Sequence, residues 1–181
     1  YLINGWNTYP TVWIALTTPI PILFLALVGS VWSFFQVLFK KAHFHFLILI
    51  WFLLPILRVS LPNSSIYGGV RQIMEFIPAM AILSGLGANY IAILLNGYIV
   101  KRLKQFNNST IQQFPSKTTL LILQAICILA FLPITLKLIS IHPNENVYLN
   151  PLIGGLKGAK ERNFADWGVT LGTTYQQGVE W

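Results

Sequence analysis

The chain carries no charge from Tyr1 to Phe39, and its first charged side chain is Lys40. That uncharged run is mostly apolar and longer than the roughly 20 residues a helix needs to cross the hydrocarbon of a bilayer. Three further apolar segments follow, separated by short polar stretches, and the pattern predicts membrane helices near 13–39, 44–61, 73–95 and 119–139. Barrel strands would show alternation of apolar and polar residues over about ten positions, which is absent, so helices must satisfy the backbone. The expected fold class is all-α integral membrane: about four transmembrane helices within 1–141, followed by a short extracytoplasmic tail, 142–181.

Orientation follows from the basic residues in the connections, which favour the cytoplasmic side. Lys40 and Lys41 lie between the first two predicted helices, and Lys101, Arg102, Lys104 and Lys117 between the last two. Both connections are therefore expected inside, with Tyr1, the loop around Pro62 and the tail outside. All five acids, Glu75, Glu145, Glu161, Asp166 and Glu180, then fall at or beyond the outer face. A secretory signal would have a basic start, a shorter apolar run and a small-residue cleavage site, none of which fits the opening segment. The start at Tyr1 and the end at Trp181 suggest a piece of something longer.

Prolines fall within the predicted helices at Pro19, Pro21, Pro55, Pro78 and Pro133, where they are expected to kink the helices rather than end them. A Tyr9-Pro10 turn is expected to lead into the first. Ala81, Ser84, Gly85, Gly87 and Ala88 cluster in the third helix, a composition that either permits close helix packing or is merely tolerated by lipid.

Composition agrees with this pattern. The 181 residues are 55% hydrophobic and 9% charged, with a mean hydropathy of +0.63, whereas soluble domains carry about 25% charged residues. A net charge of +7 would direct a soluble protein towards nucleic acid; here it sorts across a membrane, and membrane lipids rather than nucleic acid are the expected partners. Cys127 lies in an apolar run and carries no redox information. Neither a CxxC nor an HExxH motif occurs, so no metal or other cofactor is expected.

Two segments can carry chemistry. The first is the predicted outer loop, Arg58 to Gln72, ahead of the third helix. Gly68 and Gly69 relax the backbone beside Tyr67 and Arg71, and a guanidinium can grip phosphate oxygens with two parallel hydrogen bonds. A helix start adds unpaired N–H groups and a favourable dipole, partly offset by Glu75. Arg71, Tyr67 and Arg58 are thus candidates for binding a lipid phosphate. The alternative is that the arginines snorkel and Tyr67 belongs to an interfacial aromatic belt.

The second segment begins where the fourth helix ends. Pro143, Pro151 and Gly154-Gly155 mark turns, and the stretch beyond Gly172 fits a short amphipathic helix. His142, Glu145, Tyr148, Asn150 and Asp166 are candidates for a cap over a site, where a carboxylate can act as a general base. In the competing reading His142 and Glu145 hydrogen-bond the turns, and Tyr148 and Trp167 pack at the membrane face.

Several of these motifs, in their order along the chain, resemble the C-terminal part of the C-type membrane glycosyltransferases, the superfamily that includes the dolichyl-phosphate-mannose protein mannosyltransferases. They are Thr17-Thr18-Pro19-Ile20-Pro21, Trp51-Phe52-Leu53-Leu54-Pro55, Tyr67-Gly68-Gly69-Val70-Arg71, the tail pattern His142-Pro143, Glu145, Tyr148 and Asn150-Pro151 with Gly154-Gly155, and Asp166-Trp167-Gly168. Two positions depart from that pattern: Gly68 where relatives often carry an acid, and Gln72 where they often carry histidine. The resemblance implies transfer of a sugar from a polyprenyl-phosphate carrier to an extracytoplasmic acceptor, with inversion at the sugar carbon. It implies that Tyr67 and Arg71 help to hold the carrier phosphate and that the tail caps the site. The activating aspartate it implies, in a first external loop, corresponds to no residue of this chain, so no catalytic residue is assigned. A reading from another class is a non-catalytic membrane protein, a lipid-carrier flippase or transporter component, and a merely structural bundle is a third.

Overall fold

The computed structural model describes residues 2–3, 6–62, 64, 69–106, 117–142 and 148–163. They form a helical membrane protein with a minimal hairpin at its start. Strands β1 (Leu2–Ile3) and β2 (Trp6–Asn7) pair antiparallel, Ile3 opposite Trp6. Helices α1 (Tyr9–Thr17), α2 (Ile20–Lys40) and α3 (His43–Ser60) follow, then a 3-10 turn (Gly69–Ile73), α4 (Phe76–Phe106), α5 (Lys117–Ile141) and α6 (Gly155–Glu161).

Three helical segments are long and apolar enough to cross a bilayer: Ile20–Lys40, His43–Ser60 and Phe76–Gly97. In α5, Ile128–Ile141 is a further apolar stretch, and at 1.5 Å per residue the whole 25-residue helix is about 37 Å long. Large apolar side chains cover the outside. Phe24, Leu27, Phe34 and Leu38 of α2, Phe46, Leu53 and Leu57 of α3, and Ile128, Leu132, Leu136 and Ile139 of α5 are all exposed. Water does not tolerate a surface of this kind at this extent, and hydrocarbon does. The chain is an all-α membrane protein.

The first predicted helix is two helices, which corrects the expectation of a kink. Proline lacks an N–H, so Pro19 cannot bond the Ala15 carbonyl and Pro21 cannot bond that of Thr17. Thr18 is driven out of the helical region by the proline that follows it, and adopts φ −86°, ψ 136°. Helix α1 ends there, and α2 restarts with Pro19 as its N-cap and Pro21 in its first turn. At Tyr9-Pro10 the chain enters α1 directly, with Pro10 in the first turn, where a missing N–H costs nothing. Pro55 and Pro133 do lie inside continuous helices, as expected.

The most extensive helix pairing is between α2 and α4. A Cβ on Gly29 would lie 1.8 Å from the Leu83 carbonyl oxygen, and one on Gly87 would lie 2.0 Å from that of Leu25. The two backbones therefore touch through paired glycines, the close approach that drives helix association where burial from water contributes nothing. Ser84 Oγ reaches across to the Ile22 carbonyl at 3.3 Å, and Trp32 stacks on Tyr90 with ring centroids 4.3 Å apart. Gly85 faces open space. Of the small residues clustered at 81–88, Ser84 and Gly87 meet the α2 backbone.

Helix α1 is a wedge between two apolar clusters. Ile14 joins Ala26, Ile56, Val59, Ile73, Phe76 and Met80 in the bundle core. Tyr9 and Trp13 face the other way and pack with Leu149, Ile153 and Ala159 of the tail. The tail thus rests on α1. Gly154 and Gly155, at φ 85° and 65°, make the turn into α6 with left-handed backbone.

Candidate functional site

The sequence candidates fall into two groups on either side of α1. Among the described residues, nothing connects Arg58 and Arg71 with Tyr148 and Asn150. Tyr67, Glu145, Asp166 and the expected helix beyond Gly172 lie outside the described residues.

Arg58, in the last turn of α3, donates through Nη2 to the Gln72 carbonyl at 2.7 Å. The same nitrogen lies 3.4 Å from both carboxylate oxygens of Glu75. Both side chains are a little over half exposed, 55% and 56%, so the ion pair itself contributes about 0–1 kcal/mol. Its larger consequence is positional: one guanidinium joins the end of α3 to the turn that opens α4. Glu75 is spent on Arg58, not on Arg71.

Arg71 sits in the 3-10 turn and is exposed, with no ion pair among the described residues. The turn itself is held firmly. Ile73 is 1% exposed in the bundle core, and α1 packs against the turn. The backbone that carries this permanent positive charge is therefore anchored at the hairpin end of the bundle, opposite the Lys40-Lys41 connection.

The second group is led by Asn150, which is fully buried. Its Nδ2 donates to the Ala15 carbonyl at 2.6 Å and to the Thr18 carbonyl at 2.8 Å. Its backbone N–H donates to the Leu16 carbonyl at 2.8 Å, and its Oδ1 accepts from the Leu152 N–H at 3.1 Å. These are the carbonyls left over where the prolines end α1, so Asn150 supplies the missing C-cap from the far end of the chain. Both amide hydrogens of Asn150 are thus committed to backbone carbonyls.

Asn7 does the same work at α3 and was not anticipated. It is 3% exposed, donates through Nδ2 to the Val59 carbonyl at 3.2 Å, and accepts from the Tyr9 N–H at 3.0 Å. In both asparagines Oδ1 closes a turn with the N–H two residues on, which leaves the amide hydrogens free for a distant helix end. The usable signal was an asparagine shortly before a proline-containing helix start.

Tyr148 is half-buried, and burial pushes its phenol above the ordinary value, so it remains a neutral hydrogen-bond donor through the physiological range. His142 is exposed at the end of α5. Tyr148 lines a groove of about 690 Å³ between α5, the start of α2 and the tail. No group of three or more potential metal ligands occurs among the described residues.

No family model, curated protein or solved structure matches this chain.

Proposed function

We propose that this chain provides the carrier-phosphate site of a membrane glycosyltransferase, one that moves a sugar from a polyprenyl phosphate to an acceptor on the extracytoplasmic side. The observation that carries the reading is Arg71, exposed on a turn anchored in the bundle core and without an ion pair among the described residues. A guanidinium so placed suits a lipid-borne phosphate, which it meets bidentately while the isoprenoid chain lies along the apolar flank of the bundle.

Orientation supports the same reading. Lys40 and Lys41 stand at one end of the helices and the hairpin, α1 and Arg71 at the other, so the positive-inside rule sets Arg71 and the tail outside. Transporters commonly place ionisable groups in mid-membrane, whereas Phe76–Gly97 carries none.

The test is transfer of a radiolabelled sugar from its polyprenyl-phosphate donor to endogenous acceptors, in membranes carrying the full-length protein. Arg71→Ala is expected to lower transfer by about 100-fold or more, on the scale of removing one preorganised charge from a reacting phosphate, with insertion and helicity unchanged. Transfer at the wild-type rate would overturn the assignment.

A further inference from the structure

The groove between α5 and the tail has a composition of its own, separate from the Arg71 site. One wall is a single face of α5, formed by Ala130, Pro133, Ile134, Lys137 and Ile141, spaced at three, four, seven and eleven residues. This stripe is about 16 Å long and runs from apolar depth up to the end of the helix, where Lys137 lies one turn from Ile141. Ile20 and Pro21 of α2 form part of the opposite side, and Tyr148 and Lys157 of the tail roof it.

Three features of this groove point to one class of occupant. Its lining contains two cations and no acid. Lys157 has only a distant partner, Glu161 at 4.0 Å, and both side chains are largely exposed. Apart from the lysines its lining is mostly apolar, with Ile20, Ile134, Ile141, Leu149 and Leu156 along it, while exposed Leu132, Leu136 and Ile139 lie on the opposite face of α5. Lysine stems lie along such walls and carry their ammonium groups to headgroup level. The tail adds Lys160 and Arg162, both exposed, whose charges add to the attraction of this region for an anion.

We propose that this groove binds one anionic phospholipid, with one of its two acyl chains along the Ala130–Ile141 face of α5 and its phosphate between Lys137, Lys157 and the Tyr148 hydroxyl. The lipid fills the space between α5 and the start of α2 and fastens the tail to the bundle. A volume of about 690 Å³ lies in the range of sites that enclose a small organic ligand, enough for one chain and a phosphate.

The experiment is native mass spectrometry of the full-length protein in detergent, titrated with phosphatidylglycerol, phosphatidylcholine or a polyprenyl monophosphate. One phosphatidylglycerol is expected to bind at least about tenfold more tightly than phosphatidylcholine. The double variant Lys137→Ala/Lys157→Ala is expected to erase that preference, and Lys137→Arg/Lys157→Arg to keep it. Ala130→Trp keeps both charges but fills the apolar wall, and is expected to expel the lipid. That last variant decides the matter if the alanine pair does not fold. Equal retention of the two phospholipids, unchanged binding in Ala130→Trp, or a clear preference for the polyprenyl phosphate would each overturn the proposal.

Discussion

At the scale of single residues, two buried asparagines do what the helix prolines make necessary. Removing the Asn150 amide strands the buried Thr18 carbonyl and the Ala15 carbonyl, and an unsatisfied buried acceptor costs about 1–3 kcal/mol. Asn150→Ala is therefore expected to destabilise the packing of the tail on α1 by about 2–4 kcal/mol. Faster tryptic cleavage at Lys157 and Lys160 in micelles would report it. Asn150→Asp has nearly the same volume but offers carboxylate oxygen to carbonyls, so it is expected to be at least as damaging. An innocuous aspartate would mean that shape rather than hydrogen bonding holds the tail. The sequence marked Asn150 only as a candidate cap residue, beside the turn at Pro151, and could not reveal its partners, because carbonyls 132 and 135 residues away leave no mark on the local pattern.

At the scale of elements, apolar runs were legible because the hydrocarbon imposes a length and a polarity on every span. Boundaries were less so. The span predicted over 13–39 reads as one apolar block, and only the loss of two N–H groups, at Pro19 and Pro21, divides it into α1 and α2. The small residues of α4 were visible as a cluster, yet their roles depend on which face meets α2. That difference is measurable. Gly87→Ala drives a methyl group into the Leu25 carbonyl and is expected to lower the thermal midpoint in detergent by forcing α2 and α4 apart. Gly85→Ala meets nothing within 4 Å and is expected to be neutral or to gain up to about 1 kcal/mol of helix propensity. Equal effects at the two positions would contradict the glycine-paired crossing.

At the scale of the molecule, the helices separate two ends of different character. One carries Lys40 and Lys41; the other gathers the hairpin, α1, the Arg58-Glu75 bridge and the tail. Single cysteines placed at Lys41 or Lys157 in a Cys127→Ser background are expected to react with a membrane-impermeant maleimide from opposite sides of the membrane. Labelling of both from intact cells would refute the topology. The candidate site was legible only in part: charge and residue type picked out Arg71, but that Glu75 turns to Arg58, and that Arg71 has no ion pair among the described residues, required the fold.

The bond between Asn150 and the break in α1 also has a consequence in time. A ribosome adding about 5–20 residues per second makes Ala15 on the order of ten seconds before the asparagine 135 positions later that completes its hydrogen bonding. During that interval the last carbonyls of α1 lack their Asn150 partner, and water or lipid headgroups must satisfy them while α2 to α5 are laid down. Docking of the tail is then a late event of biosynthesis, and a chain arrested before residue 150 is a species in which the end of α1 is still uncapped.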